Sequence, residues 1–164
     1  MVLAKRIIES MEQWAPPHYA ESWDNVGLMV GSKQRNVSKI VTTLDITPEV
    51  IEYAIVEQAQ MIISHHPFIF KGLKSLHLDS SQGKLIEKLI KNDIVVYSAH
   101  TNLDITTGGL NDMLANRLGL TNIRGFVPTG SDAVYKITTF VPTDAADAVR
   151  EAMASAGAGR IGNY

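Results

Sequence analysis

The sequence predicts an α/β protein in which a parallel or mixed sheet is flanked by helices. Three observations carry this reading. Apolar runs alternate with amphipathic helical stripes, each run opens onto polar residues at its carboxyl end, and the composition suits an ordinary folded core. The chain has 164 residues, 45% hydrophobic and 20% charged, with a formal net charge of -2 and no cysteine. Such a composition excludes a disordered or collagen-like chain. At this length roughly 70% of the extended surface can be buried, so the core needs neither a disulfide nor a structural metal. Without cysteine, thiolate zinc clusters, iron-sulfur centres and a cysteine nucleophile are excluded, and any metal ligands must be histidine and carboxylate.

The elements follow in order. Leu3, Ile7, Met11 and Trp14 stand at helical spacing, and Pro16-Pro17 ends that first helix. A loop containing Trp23-Asp24-Asn25 and Gly27 comes next, read as an aromatic core anchor followed by a turn. Three apolar runs then read as buried strands: Lys39 to Leu44 ending at Asp45, Met61 to Ile63 ending at His65-His66, and Ile94 to Tyr97 ending at His100. Between the first two, Thr47 is an N-cap with Pro48 at the first helical position, and Val50, Ile51, Ala54 and Ile55 form one stripe. Leu85, Ile86, Leu89 and Ile90 repeat the stripe before the third run. Leu110, Met113, Leu114 and Leu118 repeat it afterwards, with Gly119 at the C-cap.

Strand and helix in alternation imply parallel neighbours joined by right-handed crossovers, with helices on both faces. Ligands in such sheets sit beyond the carboxyl ends of the strands. Asp45, His65-His66, and His100 with Asp104 all fall at that edge. Around Pro128-Thr129-Gly130 the chain changes character. Tyr135 to Val141 reads as a strand, and Thr143-Asp144 as the cap of a helix carrying Ala148, Val149, Ala152 and Met153 and closing at Gly157. One strand and one helix cannot bury both their apolar faces, so residues 131–164 read as the start of a second domain after a first over 1–130.

Several function classes lose support. Fifteen basic against seventeen acidic residues and a pI near 6.2 offer no broad cationic face, so nucleic acid is a poor partner. No secretory signal and no membrane-length apolar stretch is present, and a cytoplasmic protein is expected. Gly157-Ala158-Gly159-Arg160-Ile161-Gly162 matches the dinucleotide fingerprint literally, but it follows a helix instead of joining a strand to one. Walker A, nucleophile-elbow and His-Glu-x-x-His motifs are absent from the sequence.

What remains is histidine and carboxylate. His65-His66-Pro67 leaves a strand, and Pro67 biases His66 toward an extended conformation in which both imidazoles can face one cavity. Neutral imidazole is the commonest protein ligand for zinc and suits copper, iron and nickel as well. In His100-Thr101-Asn102-Leu103-Asp104, Asp104 suits a carboxylate bridging two ions, and His100 suits a catalytic role, orienting a ligand or relaying a proton. The plainer readings are hydrogen-bonded loop histidines and a helix-capping aspartate. His18 and His77, in polar or proline-flanked loops, are expected in solvent.

Glu21-Ser22-Trp23-Asp24-Asn25-Val26-Gly27-Leu28, Ser64-His65-His66-Pro67 and His100-Thr101-Asn102-Leu103-Asp104, in this order and spacing, strongly resemble the Nif-three-like family, often labelled type 2 GTP cyclohydrolase I. The resemblance extends over essentially the whole chain, and its last segment resembles part of a small ferredoxin-like α+β domain inserted in longer members. It implies a dinuclear site with His65, His66 and Asp104 at three ligand positions and His100 lining the cavity. It also implies a further histidine and glutamate from a later motif, so that these residues resemble the N-terminal portion of a longer protein. Two divalent ions are implied, with zinc, iron, manganese and nickel not distinguished, together with a ring-like homohexamer. The resulting expectation is a metal-dependent hydrolase acting on a small molecule, with the purine ring of GTP suggested by the family label. Against that substrate, the sequence has no phosphate motif, and a triphosphate meets little beyond scattered Lys71, Lys74 and Arg124. The competing expectation is a metal-binding or regulatory protein that assembles with other proteins without turnover.

Overall fold

The computed structural model describes residues 1–125 and 135–159, and the chain divides into two compact units, 1–126 and 127–164. The expected boundary after residue 130 falls outside the described residues. Unit 1 runs β1 (Val2–Leu3), α1 (Ala4–Trp14), β2 (Gly27–Val30), β3 (Asn36–Val37), β4 (Ile40–Thr43), α2 (Pro48–Val56), β5 (Met61–Ser64), α3 (Ser81–Lys91), β6 (Val95–Ser98), α4 (Thr101–Ile105) and α5 (Leu110–Arg117). No helix among the described residues is long and apolar enough to cross a membrane.

Local chemistry explains the crossover helices. Thr47 Oγ1 accepts the Val50 N–H at 3.3 Å with Pro48 following it, and Ser80 Oγ accepts the Gly83 N–H at 3.0 Å, so each helix has one otherwise orphaned donor satisfied. The strands order as β2-β6-β5-β4. Thr43, Ser64 and Ser98 lie side by side in parallel register, so the three strands end together and release Asp45, His65 and His100 at one edge. Two clusters cover the two faces. Ile51, Ala54 and Leu89 pack with Ile62 and Val96 on one, while Ala4 and Ile8 pack with Met61, Val95 and Tyr97 on the other. The alternation of Met61 against Ile62 and Val95 against Val96 is the period of a strand buried on both sides.

Three departures from the sequence reading have physical causes. The first is β2: Gly27–Val30 adds an antiparallel edge to β6, with Gly27 opposite Ser98, and makes the sheet the mixed one of the two expected forms. The loop reading missed this strand, which is four residues long and flanked by turns. Gly31, at φ +94, ends it where a Cβ would lie 3.0 Å from the Val95 Cα. The stripe of α5 is largely exposed, with Met113, Leu114 and Leu118 each more than half accessible, because nothing among the described residues covers it. In unit 2, Tyr135 to Val141 is not a strand. A strand exists through a ladder, and these residues have no partner strand among those described, leaving Ile137 70% and Phe140 96% exposed. The helix there, α6 (Ala146–Ser155), follows a 3-10 turn over Thr143–Ala145, and neither Thr143 nor Asp144 caps it.

One core residue carries a testable consequence. Tyr97 is fully buried, and its hydroxyl has no hydrogen-bond partner among the described residues. Burial first, then the negative charge of Glu12, pushes its phenol up to about 12. The folded protein thus holds this proton longer than the unfolded chain. Stability is intact below the ordinary tyrosine value and falls by roughly 2–3 kcal/mol as pH rises through the raised one. Tyr97→Phe removes both the orphaned hydroxyl and that alkaline loss. We expect it to unfold at higher urea by roughly 1 kcal/mol near neutral pH, with a gap that widens above pH ~10. Parallel pH dependence of the two proteins would count against this account.

Candidate metal centre

The backbone carries the β4–β5 ladder one step past the strands. The His65 N–H donates to the Thr43 carbonyl at 3.1 Å and the His66 N–H to the Leu44 carbonyl at 2.9 Å. Ser64 and Ser98, both buried, join the neighbouring strand ends through their hydroxyls at 2.9 Å, and Ser64 Oγ also donates to the His66 carbonyl. The turn carrying the histidine pair is therefore anchored on both sides. Past the end of β6, the His100 N–H donates to Asn102 Oδ1 at 2.9 Å, while Asn102 Nδ2 donates to the Ala15 carbonyl at 2.7 Å. Fully buried Asn102 thus ties the end of α1 to the residue that starts α4.

These anchors bring three imidazoles together. One ring nitrogen from each of His65, His66 and His100 lies within 4.8 Å of the other two, and the ring centroids are 5.1–5.6 Å apart. Their other hydrogen bonds fix the tautomers. His65 Nδ1 lies 3.0 Å from the Ala99 carbonyl, His66 Nδ1 2.7 Å from Asp45 Oδ1, and His100 Nδ1 3.0 Å from Asp24 Oδ1. A carbonyl or carboxylate oxygen only accepts, so each Nδ1 carries a proton, and in the neutral imidazole, the form that binds metal, Nε2 keeps its lone pair. Metal-binding histidines are oriented by outer partners of this kind.

Asp104, on α4, places Oδ1 3.7 Å from His65 Nε2. That gap is too long for a hydrogen bond and close to the roughly 3.3 Å expected between two donors each about 2 Å from one tetrahedral ion. Asp104 stands beside His65 and is not part of the mutually close three-histidine set. His100, expected to line the cavity, lies inside that set. His18 and His77 are exposed and stand outside it.

Asp24 is the residue the sequence reading passed over as part of a turn. Its side chain is fully shielded from solvent. Burial pulls its carboxyl up, but hydrogen bonds from the Thr101 hydroxyl, His100, and the Thr101 and Asn25 N–H groups outweigh that, and the net value lies below the ordinary one. The Thr101 hydroxyl also accepts the Glu21 N–H at 3.0 Å, so the loop before β2 is clamped to the start of α4. A carboxylate held ionised in this way is a firm acceptor for the His100 Nδ1–H. No local signal marks this role: Trp23, read as a core anchor, is 58% exposed, and only the fold brings Asp24 to His100. Next to His65 a cavity of about 250 Å³ opens, lined by Met11, Trp14, Ile63, Ala99 and Leu103.

Comparison with known proteins gives a consistent neighbourhood. The family profile Duf34/NIF3 (NGG1p interacting factor 3) matches residues 2–164. A protein of Halalkalibacterium halodurans named GTP cyclohydrolase 1 type 2 homolog is 45% identical over 158 residues, which is 96% of this chain and 42% of that protein. Among solved structures, a Bacillus cereus protein related to NIF3 aligns with TM-score 0.74 and 42% identity, over 99% of this chain and 45% of that one. Reduced HcgD from Methanocaldococcus jannaschii aligns with TM-score 0.71 and 37% identity, over 79% of this chain and 52% of that one. The chain therefore spans less than half the length of the curated relative.

Proposed function

The chain belongs to the Duf34/NIF3 family, and from that premise we propose that it forms the metal-binding part of a metal-dependent hydrolase built on His65, His66, His100 and Asp104. One observation supports this reading above the rest: each imidazole has its Nδ1 against an oxygen while a ring nitrogen of each lies within 4.8 Å of the other two, and Asp104 stands beside the Nε2 of His65. Hydrogen-bonded loop histidines would not need three matching tautomers around one point. The nitrogen and oxygen donor set accepts zinc, iron, manganese or nickel, so the ligands alone do not select the ion.

A divalent ion held there would lower the pKa of a water and polarise the bond under attack. The residues of this chain supply the positioning. Asp24 and the Ala99 carbonyl hold the rings of His100 and His65 in place, and Asp45 does the same for the half-exposed His66. Three imidazoles and one carboxylate suffice for one ion. The second ion of a dinuclear centre, with Asp104 as the shared carboxylate, would draw on further donors, for which the family resemblance points to a histidine and a glutamate beyond these residues. The purine ring of GTP is the proposed substrate, on the strength of the relatives' name, and the proposal concerns the whole protein, since this chain covers 42–44% of two of them.

A second reading, a metal-binding partner protein without turnover, is favoured by the family description, which names an interacting factor. The whole protein, stripped with chelator, reloaded with Zn²⁺, Mn²⁺ or Fe²⁺ and given GTP, separates the two. Formate or a pterin product that requires metal and disappears in His66→Ala supports the hydrolase. Bound metal with no product under any loading overturns the hydrolase and favours the partner protein.

A further inference from the structure

Two large rings stand exposed beside the histidine cluster. Trp23 is 58% exposed and Phe70 45% exposed, with ring centroids 6.0 Å apart and planes tilted by 57°. Trp23 also meets His100 edge-on at 6.2 Å. Neither ring sits on a loose loop. Asn25 Nδ2 donates to the Ile69 carbonyl at 2.5 Å, tying the two ring-bearing loops together. Asp24, next to Trp23, is buried and locked to His100 and Thr101, while Phe68 and Ile69, next to Phe70, pack against the core. The chain thus turns two aromatic side chains outward from rigid points at the mouth of a polar site, although apolar area left in water costs about 25 cal/mol per Å².

Exposed aromatic faces on pre-organised backbone next to convergent polar groups are a recognition device for flat ligands. The tilt lets a planar ring lie on the face of one aromatic with its edge against the other, the offset and edge-on arrangements that ring quadrupoles favour. We propose that Trp23 and Phe70 form a stacking subsite for a planar heteroaromatic ring, holding it against the histidine cluster. The inference rests on the proposed metal centre only for what the ring is presented to. Stacking itself requires no ion.

The test uses Trp14→Phe protein, in which Trp23 is the remaining tryptophan, stripped with chelator and titrated with GMP, with ribose 5-phosphate as the ring-free control. Saturable quenching of Trp23 emission by GMP but not by ribose 5-phosphate is expected. Phe70→Ala and Phe70→Leu, the latter keeping apolar bulk without a ring face, should each weaken GMP binding roughly 5- to 150-fold, the range for loss of one base–aromatic stack. Both variants should keep the zinc content of the parent after reloading. Absence of saturable quenching, or GMP binding undiminished in the Phe70 variants because the ring sits in the cavity beside residue 14, overturns the subsite. Loss of GMP binding in the Phe70 variants together with no zinc uptake by the parent protein would leave the subsite standing and remove the metal reading, so the two failures are distinct.

Discussion

His66→Ala is expected to lower zinc affinity at least about a hundredfold, since removal of an outer partner alone typically costs 10- to 100-fold and this change removes a donor itself. The fold should not notice. His66 is 46% exposed, its ring bonds to the also exposed Asp45, and the backbone anchors of its turn, from Ser64 and Leu44, survive the substitution. Its urea midpoint should therefore shift by no more than the roughly 0.5 kcal/mol usual for surface positions. Competition with a chromophoric chelator reads the affinity, and denaturation reads the stability. A variant that binds zinc like its parent would remove His66 from the centre, whereas a large loss of stability would mean that any metal effect is indirect.

Asn102→Ala should produce the opposite pattern in stability. Fully buried Asn102 makes two hydrogen bonds, to the part-buried His100 N–H and to the buried Ala15 carbonyl, and alanine leaves both backbone groups without that partner. Each orphaned buried group costs roughly 1–3 kcal/mol, so a total loss of about 2–6 kcal/mol is expected together with a small cavity. Because the same bond positions the backbone of His100, zinc affinity should fall as well, in protein that is still folded at low temperature. Unfolding in urea with a midpoint near that of the parent would contradict the anchoring role of Asn102.

Much of this fold was legible because its signals are local. Thr47-Pro48, the period of Leu85 to Ile90, and strands ending in Asp45, His65 and His100 are each readable within a few residues, and register then carries all three strand ends to one edge. What escaped was non-local. The β2 strand owes its existence to pairing with β6, about seventy residues on in the chain. Tyr135 to Val141 shows the reverse, a strand pattern with no ladder among the described residues. At the site, His65 and His66 announce themselves by adjacency, but the role of Asp24 depends on a contact with His100 that crosses 76 positions, and no spacing rule reveals it. The inclusion of His100 within the three-histidine set likewise follows from rotamers fixed by Asp24, Asp45 and the Ala99 carbonyl, not from the sequence motif alone.

The most direct test of the centre is anomalous diffraction at the zinc edge from crystals of zinc-loaded protein. The account predicts one peak bonded to Nε2 of His65, His66 and His100 at about 2.0–2.1 Å, with an Asp104 oxygen completing the set at about 2.0–2.2 Å. The Nδ1 atoms should retain their oxygen partners. A peak on any Nδ1, a peak elsewhere on the chain, or no peak among the three imidazoles at saturating zinc would contradict it.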